Sequence, residues 1–177
     1  MFGDAAVTLL GPCPTELIEE GEVANIHVTA SEVNHILAGL IYGMTSQNHL
    51  TELEACYTGG STMETNLMTA IRDFKAGGWN NITQGVLNVL LVGFEIPQEL
   101  HTCEGMQDDL TAIKEWASIF TNKSQLISKV TRHFLTHKKE ATADIATLKS
   151  DFSTQAYFAT GEDVANLVTL LIGPIQQ

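Results

Sequence analysis

Basic residues are scarce in this sequence: nine Lys and Arg stand against 21 Asp and Glu, for a formal charge of -12. Nucleic acids and anionic membranes are recognised by clustered Lys and Arg, so this balance argues against both as partners. The nearest thing to a basic patch is Arg132, His133, His137, Lys138 and Lys139, with Lys123 and Lys129 upstream. A patch this small reads as a solvated helix face. Long apolar runs are also missing. The longest, residues 86–94 and 167–172, are interrupted by Asn88 and Thr169 and fall short of the roughly 18 residues that mark a membrane span. Met1 is followed by neither a basic segment nor a sufficient apolar one, so no signal peptide is expected at this start. No Cys-x-x-Cys or Cys/His spacing of a zinc site occurs. Gly59-Gly60 and Gly77-Gly78 lack the strand and the lysine of a phosphate loop. An alternating strand pattern is absent as well.

Cysteine is sparse and odd in number: Cys13, Cys56 and Cys103. In a reducing compartment these would be buried thiols. In an oxidising one, two would pair and the third would stay free or link subunits.

What the sequence has is helical periodicity. Ser31 is placed to cap a helix whose apolar face is Val33, Ile36, Leu37, Leu40, Ile41 and Met44. A short helix carrying Leu50, Leu53 and Tyr57 follows and is interrupted at Gly59-Gly60. Met63, Leu67, Ile71 and Phe74 form the next face, stopped by Gly77-Gly78. Asn80 or Asn81 is expected to cap an apolar helix through residues 86–92, and residues 94–98, with Pro97, read as a connection. Three more faces follow: Met106, Leu110, Ile113, Ala117 and Phe120; then Leu126, Ile127, Val130 and Phe134, entered through Asn122; then Ala141, Ile145, Leu148 and Phe152. Gly161 is expected to break the chain before a last helix that opens at Glu162-Asp163 and closes at Gly173-Pro174. The expectation is an all-α fold, with an apolar N-terminal segment over residues 1–14 and one domain of six to eight amphipathic helices over 15–177.

The two ends of the chain echo each other. Val7-Thr8-Leu9-Leu10-Gly11-Pro12 near the start resembles Val168-Thr169-Leu170-Leu171-Ile172-Gly173-Pro174 near the finish, and an Asp, Asp4 or Asp163, opens each apolar stretch. Chain ends are loose unless something ties them down, so ends of this composition are expected to dock on their own domain or on a neighbour. Phe2, Val7, Leu9 and Leu10 would lie against Val164, Leu167, Val168 and Leu171 of the next copy. A heterologous contact of this kind does not close on itself and yields a filament.

Reaction chemistry is hard to find. His133 and His137 stand at i and i+4, a two-ligand metal edge, but phenylalanine occupies 134, where a metalloprotease needs Glu, and Lys138 and Lys139 would repel a cation. The carboxylate pairs Glu19-Glu20, Asp108-Asp109 and Glu162-Asp163 read as turn and helix-start residues complementing the helix dipole. Cys13 has no nucleophile signature around it. No enzyme activity, catalytic residue or metal site is therefore expected. Asn81-Ile82-Thr83 and Asn122-Lys123-Ser124 are acceptors for N-linked glycans if the chain is secreted by a eukaryote; in the alternative, both asparagines cap helices.

Several segments taken in order resemble a family of small, mostly secreted helical proteins from ciliates and other protists. They are Leu37-Ala38-Gly39-Leu40-Ile41-Tyr42-Gly43-Met44; Leu50-Thr51-Glu52-Leu53-Glu54-Ala55-Cys56; Ile71-Arg72-Asp73-Phe74-Lys75-Ala76-Gly77-Gly78-Trp79; Cys103-Glu104-Gly105 with Glu115-Trp116-Ala117; and Tyr157-Phe158-Ala159-Thr160-Gly161-Glu162-Asp163, closing at Leu170-Leu171-Ile172-Gly173-Pro174. The likeness spans residues 37–174; Gly59-Gly60 departs from it. It implies a secreted helical domain with Cys56 and Cys103 paired, and supplies no catalytic residue. Taken together, these readings favour a non-enzymatic extracellular structural glycoprotein that self-assembles head to tail. The alternative is a secreted helical module binding a lipid or small molecule, with residues 86–92 and Met63, Met68 and Met106 lining its pocket.

Overall fold

The computed structural model describes residues 28–176, and among these the chain is all-α. Eight helices follow one another in this stretch: α1 (Ala30–Thr45), α2 (Leu50–Cys56), α3 (Thr62–Ala76), α4 (Trp79–Glu99), α5 (Gln107–Ser118), α6 (Lys123–Thr136), α7 (Lys138–Ser153) and α8 (Tyr157–Ile172). The apolar segment 1–14 lies outside the described residues.

α1 starts one turn from Val33 because Thr29 and Glu32 form a reciprocal cap. The Thr29 hydroxyl accepts from Glu32 N–H, and the Glu32 carboxylate accepts from Thr29 N–H at 2.6 Å. The cap is therefore Thr29 rather than Ser31, which forms the helix's first turn. Holding that proton-free carboxylate pulls the Glu32 pKa below its ordinary value. The expected face is buried as expected: Val33, Ile36, Leu37 and Ile41 have no exposure.

α1 packs on α8, and the contact is made by glycine. A Cβ on Gly39 would overlap the Phe158 carbonyl, and one on Gly161 would overlap the Ile36 carbonyl and come within 2.6 Å of Leu40 N. One turn on, a Cβ at Gly43 would stand 2.5 Å from the Ala165 methyl. Gly39 and Gly43 on one helix thus meet Gly161 and Ala165 on the other, backbone nearly on backbone. Because Gly39 meets Phe158 while Gly43 meets Ala165 farther along, the two helices run in the same direction. This corrects the sequence expectation at Gly161: α8 runs unbroken from Tyr157, and the glycine serves close approach across space instead of ending a helix.

α3 and α4 form a hairpin about Gly77 and Gly78, whose φ values of 70° and 80° suit glycine. The Phe74 ring lies on Gly85, where a Cβ would come within 2.5 Å of it. α4 begins at Trp79 with Gly78 as its cap, ahead of Asn80 and Asn81. It also continues through residues 94–98 to Glu99, so those residues are helix and not a connection. Pro97 is tolerated because it falls in the last turn, where few further helical bonds are at stake. α5 packs on α4 with Ala117 over Gly93, and α6 and α7 close the remaining side of α8. One continuous core joins all eight helices.

Candidate functional site

α2 is only seven residues long, too short to hold its shape alone. It is tied at both ends to the segment around the start of α5. At its C-terminal end Cys56 forms a disulfide with Cys103, their Cα atoms 5.3 Å apart. This is the pair that the family resemblance implied; Cys13 lies outside the described residues. At its N-terminal end His49 Nε2 bonds the Asp109 carboxylate at 2.6 Å. His49 is 8% exposed, and its other ring nitrogen is buried with only Glu52, at 3.8 Å, nearby. Sequence reasoning took Asp109 as a dipole-complementing residue and passed over His49, since the partners are 60 residues apart and no local pattern links them. A histidine oriented by a carboxylate is half of a hydrolytic constellation. Here the pair joins two helices, and the Tyr57 hydroxyl beside the disulfide is already engaged with Ser61 at 2.6 Å. Burial raises the Tyr57 pKa, and the Ser61 hydrogen bond offsets only part of that.

Carboxylates gather where α7 packs on α8. Burial, first, and then the neighbouring Asp151, Asp144 and Glu162 push the Asp163 pKa up to about 7. One Asp163 oxygen is buried with no hydrogen-bond partner. Asp144 is raised as well, by burial and by Glu140. The Glu162-Asp163 pair was read from sequence as the opening of a helix; it lies instead within α8, with Asp163 beside Asp151 and Asp144 of α7. Lys75, the cation over the Phe152 ring at 4.4 Å, points its charge at that ring.

The remaining candidates are scattered. His133 and His137 do stack loosely, ring centres 6.3 Å apart, but His133 meets the Leu170 carbonyl and His137 meets Glu140. No group of three metal-ligating side chains occurs among the described residues. Glu19-Glu20 lies outside them. Asn122 is the exposed cap of α6, its side-chain oxygen accepting from Gln125 N–H at 3.1 Å, while Asn81 is half-buried in the first turn of α4. Met63 and Met106, expected to line a pocket under the carrier reading, are enclosed in the core at 0% and 1% exposure. Of the residues expected to mediate assembly, Phe2, Val7, Leu9 and Leu10 lie outside the described stretch. Val164, Leu167, Val168 and Leu171 have no exposure at all. The apolar face of α8 is filled by its own domain, because a three-four apolar spacing records that a face is buried and not what buries it.

No helix among the described residues is long and apolar enough to cross a membrane. The SctB-like family, described as secreted protein B-like, matches residues 16–173, and the chain belongs to it. No curated protein and no solved structure matches the chain.

Proposed function

We propose that this SctB-like protein is a secreted, non-enzymatic structural protein whose copies join head to tail. It would leave the cell by a eukaryotic secretory route, in keeping with the secreted-protein family it matches. The observation that carries the reading is the repeated run at the two ends, together with what the second copy of that run does. In α8, Val168 and Leu171 are buried without exposure, and the helix stops at Gly173, with φ of 100°, before Pro174. A run with the same Val-Thr-Leu-Leu and Gly-Pro, without the intervening Ile, stands at Val7–Pro12 and has the composition of a segment that gains by burial. Each large aliphatic side chain removed from water contributes roughly 1.5–3 kcal/mol, against an association cost of about 4–15 kcal/mol.

The receiving surface is not the apolar face of α8. It lies beside that helix: α6 packs against α8 and carries Leu135, 70% exposed, on its outer side. The disulfide suits an oxidising exterior. Negative-stain electron microscopy of the secreted full-length protein tests the reading, with a chain lacking residues 1–12 beside it. Filaments that vanish on deletion are the expected outcome. Dispersed particles of monomer size from the full-length chain overturn it.

A further inference from the structure

The two N-glycosylation acceptors are equivalent as sequence motifs and quite different as folded sites. Asn122 caps α6 with its carbonyl oxygen: Oδ1 accepts from Gln125 N–H at 3.1 Å. Its Nδ2 has no hydrogen-bond partner among the described residues, and Asn122, Lys123 and Ser124 are all exposed. Asn81 is engaged the other way round. Its Nδ2 donates to the Gly77 carbonyl at 2.8 Å. Ile82 and Thr83 are buried, at 2% and 8% exposure, and the Thr83 hydroxyl donates to the Trp79 carbonyl at 2.9 Å. Trp79 in turn packs against Phe134 of α6, ring centres 5.6 Å apart.

We propose that Asn122 carries an N-linked glycan and that Asn81 does not. The inference rests on the secretory route proposed above. The donor is an oligosaccharide held on a lipid pyrophosphate. Asn122 Nδ2 forms a bond to the sugar's anomeric carbon, the bond from that carbon to the pyrophosphate oxygen breaks, and the amide gives up one proton as the lipid pyrophosphate leaves. The atom that gains the sugar is the one the cap does not use. Oδ1 remains a carbonyl, so the glycosylated residue still satisfies Gln125 N–H. At Asn81 the sugar would enter a half-buried amide already spent on the turn between α3 and α4, beside side chains that must pack for α4 to seat.

The same assignment accounts for an oddity at this corner. Ile119, three residues before Asn122, is 67% exposed, a large apolar side chain at the end of α5 with nothing among the described residues over it. A glycan at Asn122 covers it and removes the α5–α6 corner from any contact between copies, leaving Leu135 on the far part of α6 open.

The test secretes the full-length chain from a eukaryotic host behind an added leader, so that export does not depend on the native route. Peptide N-glycosidase in heavy-oxygen water then converts each glycosylated Asn to labelled Asp, read by peptide mapping. Labelled Asp at 122 and unlabelled Asn at 81 are expected. Asn122→Asp keeps the cap acceptor and removes the glycan; it should run as a single band at the mass of the enzyme-treated wild type and retain the wild-type helical spectrum. Unmodified Asn122, or label at 81 in folded secreted protein, overturns the inference. Either result leaves the assembly reading to be judged separately by microscopy.

Discussion

Replacing Gly161 by alanine should invert the usual sign of that substitution. In an open helix interior, Gly→Ala stabilises by about 1 kcal/mol, because alanine loses less backbone entropy on ordering. At 161 the new methyl would overlap the Ile36 carbonyl oxygen, and its 2.6 Å approach to Leu40 N is 0.8 Å inside ordinary contact at 3.4 Å. Both obstacles are backbone of a helix, so no rotamer change relieves them. α1 and α8 must part, and a gap of about 0.5–1 Å forfeits a quarter to a half of each contact across it. The side chains along that seam, including Ile36, Leu40, Val164 and Val168, are at most 1% exposed and depend on it. Overpacking of this kind costs about 1–3 kcal/mol or more, and with unyielding neighbours the upper end applies. The expected net loss is about 2 kcal/mol, the overpacking cost of about 3 less the propensity gain of about 1, a fall in Tm of about 4–8 °C for a domain of this size. Equilibrium urea unfolding followed by far-ultraviolet circular dichroism measures it, with an unchanged m-value confirming the same transition. Gly39→Ala, aimed at the Phe158 carbonyl, should cost a similar amount, and the double variant less than the sum, since helices already parted accommodate the second methyl. A Gly161→Ala protein within about 0.5 kcal/mol of wild type, the scatter of ordinary surface changes, would refute the reasoning.

Replacing both Cys56 and Cys103 by alanine opens a loop of sequence separation 47, which on chain entropy costs about 4 kcal/mol; a Tm lowered by less than about 2 °C, half the expected shift per kcal/mol at its largest, would show that the crosslink does not restrain the unfolded chain. Asp163 should make the protein more stable in acid than at neutrality. Its native pKa is raised from 3.8 to about 7, so across that window the native state holds a proton that the unfolded chain releases. Stability is then full below the unfolded pKa and declines as pH rises through about 7. Asp163→Asn cannot ionise, so its advantage over wild type should grow from pH 4 to pH 8 in urea titrations; parallel pH profiles would refute the assignment.

The helices whose apolar faces are continuous were legible in the sequence. The faces of α1, α3, α5, α6 and α7 were read residue by residue, and Asn122 was identified as an entry to α6. The misreadings share one cause. Gly161 and Pro97 carry strong local signals for a break, and each is overruled by its setting: Gly161 by a partner helix far along the chain, Pro97 by its place in a final turn. His49 and Asp109 meet only in the fold, so no spacing rule reaches them. The apolar strip of α8 was read as buried, but its spacing could not name its partner, since periodicity is the same whether a face packs on its own domain or on another copy. Odd cysteine count left the pairing open, and only the likeness to a family singled out Cys56 and Cys103.

The glycine seam between α1 and α8 joins the first described helix to the last, and this has a consequence for how the chain matures. Synthesis delivers a protein from its N-terminus. α1 is made early and waits for its main partner, since most of its packing is against α8, which emerges last. Cys56 and Cys103 are both delivered before then. The crosslink can therefore close while the domain is still incomplete, holding α2 in place and shortening the search that follows. The last helix then seats against α1 with no room for a side chain at Gly161, and its burial completes the core.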